Sequence, residues 1–221
     1  MLNIYGSPFS SPTNKIIYTA NYLKLPTTFH HIELSTGEHR QPAFLEINPL
    51  GKIPAIEDDG FSLGESNAII RYLALKHASE LYPNDLKTRS VIDQWMDYAA
   101  QHVAMATSKI MWNTYFYQFA KTARDERSFE DGHRFIGLYL PVIENQLQDN
   151  AFIAGTKMTL ADIAMLVALD TCELCELDLS TFPHITAWRK KLMNEKFYTD
   201  CHESYTATFT ESLKKRKQEA I

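Results

Sequence analysis

Asn48–Ile56, with the sequence NPLGKIPAI, and Glu65–Leu73, with the sequence ESNAIIRYL, set the architecture of the N-terminal part of the chain. The first segment ends a loop at Lys52 and runs through Ile53-Pro54 into a short apolar strand, where a first-position proline need not donate a ladder hydrogen bond. The second segment places an acidic residue and a hydroxyl at the start of an apolar-periodic helix, where unpaired backbone N–H groups hold anions. Together they predict a pocket for a small peptide-like ligand that carries an amine and carboxylates.

Around these two segments, the first 77 residues alternate between strand and helix patterns. Apolar residues alternate in the strands and recur at helical spacing in the helices, and Asp58-Asp59-Gly60 is a hairpin turn signature. The resulting order, βαβ followed by ββα, predicts a small mixed sheet with helices packed on it. The predicted elements are a strand at 2–5, a helix ending after Leu25, a strand at 29–34, a helix at 42–47, strands at 53–57 and 61–63, and a helix at 65–77.

Strand patterns are absent from the sequence after Leu86, and amphipathic helices take their place. A long helix extends toward Phe119, and later ones begin at Thr159, where Thr159 and Asp162 form a capping box, and at Pro183. The polar, turn-rich residues 81–85 separate the two patterns. We therefore predict an α/β domain at residues 1–80 and an all-helical domain at residues 87–221.

Composition excludes several classes of protein. The 221 residues are 45% hydrophobic and carry a formal charge of −5, which argues against nucleic acid as the main partner. The basic run Lys214–Lys217 is typical of a solvated helix end or tail. No apolar run is long enough for a membrane span, the chain starts directly with a strand pattern, and three cysteines suggest a reduced, cytosolic compartment.

Motifs in both halves of the chain carry a family resemblance. They are Ser10-Ser11-Pro12, Gly37-Glu38-His39, Ile47–Pro54, Glu65–Ile69, Phe152-Ile153-Ala154-Gly155 and Thr159–Ala164. In this order the chain resembles the cytosolic glutathione transferase superfamily, and specifically its serine-type theta, delta and related bacterial members. The resemblance covers essentially the whole chain, although no single motif would suffice.

The resemblance implies a fold and a set of partners. It implies a thioredoxin-like N-terminal domain, βαβαββα, followed by an all-helical C-terminal domain, and assembly into a two-fold homodimer. It also implies a cis bond before Pro54, which is accessible for an X–Pro bond, and pairing of the Ile53 backbone with the cysteinyl backbone of glutathione. Glutathione is then the co-substrate, and no metal or other cofactor is implied.

The implied reaction is attack by the glutathione thiolate on an electrophilic carbon. A free thiol with a pKa of ~8.5 is only slightly ionised at neutral pH. Lowering that pKa by about two units takes ~2.7 kcal/mol, which one hydrogen bond to the charged sulfur and a helix N-terminus can largely supply. The family pattern Ser-x-Pro selects Ser10 as the donor, Ser11 is the alternative, and both also suit a plain N-cap.

The resemblance also implies the residues that hold the tripeptide. Glu65 would bind the γ-glutamyl amine and Ser66 its carboxylate, although the pair also suits a helix cap. Lys52 and His39 match positions near the glycyl carboxylate, although each also suits a solvated surface. Asn67 stands where some insect members carry Arg, so an extra contact made there is in doubt.

The electrophile would be held by the helical domain. In the family the inner face of its long helix walls the apolar pocket in the cleft between the domains, and Met105, Lys109, Trp112 and Tyr115 are the candidates here. Ordinary core or dimer packing is the competing interpretation for each of them.

Cys172 and Cys175 form a C-x-x-C pattern that needs a separate interpretation. A thioredoxin-type redox motif would stand at the first helix, where this chain has serines, and a zinc site would need two further ligands. We expect buried or idle thiols, no metal site and no nucleotide motif.

These observations predict a glutathione transferase that conjugates small apolar electrophiles. A glutathione-dependent peroxidase, disulfide reductase or isomerase is one alternative, and a non-catalytic glutathione-binding interaction module is another. The isomerases of the superfamily carry a Ser-Ser-Cys-Ser-Trp run where this chain has Ser10–Asn14, SSPTN, which argues against that reading.

Overall fold

The computed structural model describes residues 1–202, 205–207, 209–211 and 213. The chain divides into two compact units, which are described separately below. The first comprises residues 1–83 together with the segment that begins at residue 195, and the second comprises residues 84–194. The basic run at residues 214–217 lies outside the described residues.

A four-stranded mixed sheet forms the centre of the first unit. Its strand order is β2-β1-β3-β4, with β1 parallel to β2, and with β3 antiparallel to both β1 and β4. This is the thioredoxin-like arrangement, and it confirms the predicted mixed sheet. The strands are β1 (Leu2–Gly6), β2 (Thr27–His31), β3 (Ala55–Asp58) and β4 (Phe61–Gly64).

Three helices accompany the sheet because each has an apolar face to bury. They are α1 (Ser11–Tyr22), α2 (Pro42–Ile47) and α3 (Ser66–Lys76), with a 3₁₀ turn at Glu38–Arg40 before α2. Phe44 of α2 packs with Ile32 and Ala55 in one buried cluster, while α1 and α3 pack against each other. Ile4 and Ile56, at the centre of the sheet, are fully buried.

The end of β1 approaches the first turn of α1 closely at Gly6. A Cβ added to Gly6 would lie 2.5 Å from the Thr13 side chain, so this contact requires glycine. Thr13 is fully buried, and its hydroxyl accepts a hydrogen bond from the Ser7 backbone N–H. The loop that leads into α1 is therefore held in place from both sides.

Some element boundaries differ from the prediction. The second strand spans Thr27–His31 rather than 29–34, and β3 spans Ala55–Asp58 rather than 53–57. A cis Ile53-Pro54 bond precedes β3. Helix α1 ends at Tyr22, before the predicted Leu25, since Lys24 adopts a left-handed conformation with φ of 55°.

The second unit is built from helices. Its long first helix runs from Leu86 to Phe119 and contains two π-helical segments, Ala99–Val103 and Trp112–Phe116, between α4 (Leu86–Tyr98), α5 (Ala104–Met111) and α6 (Tyr117–Phe119). The others are α7 (Glu126–Asp149), α8 (Leu160–Leu174) and α9 (Pro183–Met193). Nearly all of α8 is buried, which makes it the core of this unit.

The capping box at the start of α8 is present as predicted. Thr159 accepts from the Ala161 N–H at 3.3 Å, and the Asp162 carboxylate accepts from the Thr159 N–H at 2.8 Å. Asp162 also accepts from the Ile153 N–H and from the Trp188 indole N–H. One buried carboxylate therefore joins the cap to a loop and to α9.

The two cysteines of the C-x-x-C pattern are free and buried at the end of α8. Burial raises the pKa of Cys172 to about 12 and also raises the pKa of Cys175. Because only a thiolate attacks or binds metal, these thiols are inert, as the sequence predicts.

The segment after α9 packs along α1 and belongs to the first unit. It begins with α10 (Lys196–Thr199), whose Phe197 carbonyl accepts a hydrogen bond from Asn21. The Tyr18 hydroxyl lies 2.7 Å from His202 Nε2, and the rings of Tyr18 and Tyr198 contact the imidazole. The contact between α1 and this segment therefore buries the titratable His202 side chain.

We predict that His202 makes the first unit sensitive to acid. Burial lowers the pKa of His202 to about 4, from an ordinary value of 6.5. The neutral imidazole is therefore favoured by folding, so its stability contribution is complete above pH 6.5 and is lost as the pH falls toward 4. The loss is on the order of 2–3 kcal/mol. Thermal unfolding measured across this range should show it.

His202→Gln provides the matched test, because an amide can still pair with Tyr18 but does not titrate. Its melting temperature should fall less steeply with acidification than that of the wild type, whereas the exposed His77→Gln control should follow the wild type. Parallel curves for wild type and His202→Gln would refute the assignment.

None of the described helices combines the length and the apolar composition that a membrane-spanning helix needs.

Candidate functional site

Ser10 caps the N-terminus of α1. Its backbone is extended, with φ −95° and ψ 109°, and its Oγ accepts from the Thr13 N–H at 3.4 Å. This cap uses a lone pair of the hydroxyl at a long distance, so the O–H proton stays available to a ligand. Capping the helix and donating to an anion are therefore compatible roles for one side chain.

Ser11 occupies a different position. It is the first residue of α1 and is half-buried, and it precedes Pro12, whose missing N–H costs nothing at this place in a helix. Ser10, but not Ser11, lines the cavity described next. Both residues stay candidates for the hydroxyl donor, and Ser10 is the one that lines the cavity.

A cavity of about 740 Å³ lies beside the start of α1. It brings together four of the predicted site residues, Ser10, His39, Lys52 and Ile53, and its remaining lining residues are Leu34, Arg40, Leu45, Leu50 and Gly51. Two basic residues, Lys52 and Arg40, line it together with several apolar side chains. The cavity thus suits a ligand that combines a carboxylate with apolar atoms.

The loop that carries Lys52 is braced by Asn48. The buried Asn48 side chain donates to the Lys52 carbonyl at 2.6 Å and accepts from the Leu50 N–H at 3.3 Å. It also lies against Gly64, where a Cβ would approach the amide to 3.1 Å. The cis Ile53-Pro54 bond that follows matches the expectation drawn from the resemblance.

His39 reaches the cavity from the 3₁₀ turn. Its Nε2 accepts from Arg40 Nε at 3.3 Å, while its buried Nδ1 has no hydrogen-bond partner among the described residues. Arg40 is a cavity-lining cation that the sequence reasoning did not select. Its position next to His39 in the sequence was the only indication that Arg40 lies at this cavity.

Glu65 and Ser66 lie at the start of α3. Glu65 precedes the helix with φ of 62°, a left-handed conformation that is strained for a residue with a side chain and that clusters at ligand sites. Ser66 is the first helical residue, so its N–H is among those without an intrahelical acceptor. This geometry offers a carboxylate, a hydroxyl and free N–H groups together.

Lys15 is a site residue that sequence reasoning missed. It lies in the second turn of α1, is 7% exposed, and donates from Nζ to Ser66 Oγ at 3.2 Å and to Asn67 Oδ1 at 2.7 Å. A lysine on the buried face of a helix, directly before Ile16, was the only signal in the sequence.

Tyr205 is a second missed residue. This buried side chain of the C-terminal segment donates from its hydroxyl to the carbonyl of Phe9 at 3.2 Å. The residue immediately before Ser10 is therefore held by a segment almost two hundred positions away. Nothing local to either residue indicates this contact.

The four candidate electrophile-binding residues have different environments in the second unit. Met105 and Trp112 are 57% and 46% exposed. Lys109 donates to the Ser128 hydroxyl at 3.5 Å, and the half-buried Tyr115 donates to the Leu174 carbonyl at 2.8 Å. Tyr115 thus joins two helices, which is a packing role of the kind that competes with a role in lining the electrophile pocket.

No cluster of three or more His, Cys, Asp or Glu side chains that could hold a metal ion occurs in the part of the chain that the structure describes. The candidate residues at the site supply hydroxyls, ammonium and guanidinium groups, an imidazole, a carboxylate and helix N-termini. Such groups bind and polarise an anionic ligand.

Comparison with known proteins agrees with this fold. The family model for the glutathione S-transferase N-terminal domain matches residues 4–81, and the model for the C-terminal domain of that family matches residues 103–196. A thioredoxin-like unit followed by an all-helical unit, each with its own match, defines the class of protein.

Individual relatives give the same result. The chain is 31% identical to glutathione S-transferase D7 of Drosophila melanogaster over 86% of its own length and 83% of the relative's. The structure of a delta-class glutathione transferase from Nilaparvata lugens is 28% identical, covers 97% of this chain and 99% of that one, and superposes with a TM-score of 0.84. An epsilon-class enzyme from the housefly, Musca domestica, is 27% identical over 97% of this chain and 98% of that one, with a TM-score of 0.83. The chain belongs to the glutathione S-transferase family.

Proposed function

We propose that the chain is a serine-type glutathione S-transferase, similar to the theta, delta and related bacterial members. The observation that carries this proposal is a hydroxyl, Ser10, that both caps α1 and lines a cavity with two cations. Glutathione is the co-substrate. We place the enzyme in the cytosol, in keeping with three cysteines that form no disulfide.

The reaction begins with ionisation of the bound thiol. The proton leaves to solvent, and the Ser10 O–H donates to the sulfur while the α1 N-terminus adds a favourable partial charge. The thiolate then attacks the electrophilic carbon, a C–S bond forms, and a leaving group departs with its electron pair. For an addition substrate, the new carbanion instead takes up a proton.

Binding of the tripeptide uses both ends of the site. The glycyl carboxylate would meet Lys52 and His39, with Arg40 beside them, and the Ile53 backbone would pair with the cysteinyl unit in the manner of an added strand. The γ-glutamyl end would place its amine on Glu65 and its carboxylate on Ser66. Pro54 follows Ile53, and its pyrrolidine ring restricts the backbone conformation of Ile53.

The electrophile is proposed to be small and apolar. Met105 and Trp112 support this class, because large apolar side chains that stay exposed in a folded unit are available to a ligand. Lys109 and Tyr115 are the polar members of the proposed set. Assaying a panel of electrophiles with glutathione would identify the physiological substrate.

Two other activities are less well supported. A peroxidase or disulfide reductase that used the C-x-x-C pair would need a reactive cysteine there, but Cys172 and Cys175 are buried and have raised pKa values. A non-catalytic binding module would not need Ser10 in the cavity. Turnover of an aryl halide with glutathione, in the absence of hydroperoxide reduction, would distinguish the three.

Substitution of Ser10 tests the proposed thiol activation. Ser10→Ala should retain glutathione binding but raise the pKa of the bound thiol by about one to two units, because it removes one hydrogen bond to a charged acceptor. Ultraviolet titration of the thiolate in the binary complex measures this pKa. Ser11→Ala is the matched control and should leave the titration unchanged; a shift in Ser11→Ala alone would transfer the role to Ser11.

Substitution of Glu65 tests recognition of the γ-glutamyl amine. Glu65→Gln keeps the shape but removes the charge, and should weaken glutathione binding by roughly tenfold or more, since a hydrogen bond to a charged group is lost. Calorimetric titration gives the dissociation constant. The exposed Glu46→Gln serves as the control, and equal affinities for the two variants would count against the role of Glu65.

We propose further that the enzyme is a homodimer with two-fold symmetry, as the family resemblance implies. Sedimentation equilibrium should then give twice the 25.4 kDa mass of one chain at micromolar concentration. A mass equal to that of one chain across the same concentrations would exclude the dimer without affecting the chemistry proposed for Ser10.

A further inference from the structure

Lys15 is a buried ammonium group without an ionic partner. Its side chain donates two hydrogen bonds, to Ser66 Oγ and Asn67 Oδ1, and both acceptors are neutral. Among the described residues, no carboxylate oxygen makes an ion pair with Nζ. An ammonium group has three N–H donors, so one donor is not used by these two bonds, and neither acceptor carries a negative charge.

Such an arrangement is costly in a folded protein. A buried charge is normally paired, because moving it out of water without a counter-ion costs several kcal/mol. Two nearby charged groups oppose each other: the Arg71 guanidinium lowers the pKa of Lys15, and the Glu65 carboxylate raises it. A site that binds an anion can compensate this charge only when the ligand is present.

The direction of the hydrogen bonds at Ser66 is informative. Because Ser66 Oγ accepts from the Lys15 ammonium, the hydroxyl proton points away from Lys15 and can be donated to a ligand. The Ser66 N–H lies at the start of α3 and also lacks an intrahelical acceptor. Lys15 thus orients a pair of donors that suits one carboxylate.

We propose that Lys15 is the positioning residue and buried counter-charge for the α-carboxylate of the γ-glutamyl group. It acts through Ser66, whose hydroxyl and N–H make the direct contacts. Asn67 is neutral, and its Oδ1 accepts a second hydrogen bond from Lys15, so the lysine ammonium lies against this turn of α3. The inference rests on the proposed glutathione site and adds to it a residue that selects ligands with a free α-carboxylate.

The charge state of Lys15 is compatible with this role. Burial lowers the pKa of Lys15 to about 8, with the Arg71 guanidinium acting in the same direction and the Glu65 carboxylate opposing both. The ammonium form therefore still predominates at neutral pH. A bound carboxylate would stabilise that form further.

The test compares glutathione with 4-aminobutyryl-cysteinyl-glycine, an analogue that lacks only the α-carboxylate. Lys15→Met should weaken glutathione binding by about 10-fold to 100-fold, the range for losing a charge-assisted contact, and leave analogue binding within about twofold of the wild type. Lys15→Arg should restore most of the glutathione affinity. Calorimetric titration at neutral pH gives all the dissociation constants.

Double substitution tests the route through Ser66. In a Ser66→Ala background, Lys15→Met should cost much less glutathione affinity than it does in the wild type, because the oriented donor is already absent. Lys87→Met, on the exposed surface of α4, is the control and should leave every constant unchanged. If Lys15→Met does not fold, Lys15→Gln removes the charge while keeping a hydrogen-bonding group.

The outcomes separate this inference from the proposed function. A wild-type protein that binds neither ligand would overturn the proposed glutathione site itself. A wild type that binds glutathione, with a Lys15→Met variant that binds it equally well, would overturn only the role of Lys15. Equal weakening of glutathione and the analogue would also overturn it, because a general packing role would not distinguish the α-carboxylate.

Discussion

The hydrogen bonds from Lys15 to the first turn of α3 are the interaction on which the proposed site depends, because they join α1 to the start of α3. Helix N-termini carry unpaired N–H groups and a positive partial charge, and they hold anions only when their position is fixed. Here α1 begins after Ser10 and α3 begins after the strained Glu65. The buried Lys15 ammonium therefore helps to fix the distance between two hydroxyls. One is that of Ser10, proposed to contact the sulfur, and the other is that of Ser66, proposed to contact the carboxylate.

The remaining contacts of the site serve the same rigidity. Tyr205 holds the carbonyl before Ser10, Asn48 holds the carbonyl of Lys52, and Gly6 admits the close approach of β1 to α1. Stabilising a thiolate in this way requires donors that are in place before the charge develops, since reorganising them during the reaction would consume the gain. The buried polar groups named above accordingly orient backbone and hydroxyl groups of the proposed site.

The sequence predicted the features that depend on local patterns. The mixed sheet, the limits of α2, the capping box of Asp162 and the cis bond before Pro54 follow from periodicity, turn residues and a family resemblance. Lys15, Tyr205 and Arg40 were not found, because each acquires its role from a partner or a cavity that only the folded chain brings near. His202 likewise looks like an ordinary histidine until α1 buries it.

A crystal structure of the chain with bound glutathione would show directly which groups hold the thiol and the γ-glutamyl end. We expect the sulfur within hydrogen-bonding distance of Ser10 Oγ, and the γ-glutamyl carboxylate on the Ser66 hydroxyl and N–H with the Lys15 ammonium directly behind them. A tripeptide bound with its sulfur remote from the start of α1, or with its γ-glutamyl end away from the first turn of α3, would rule out these roles.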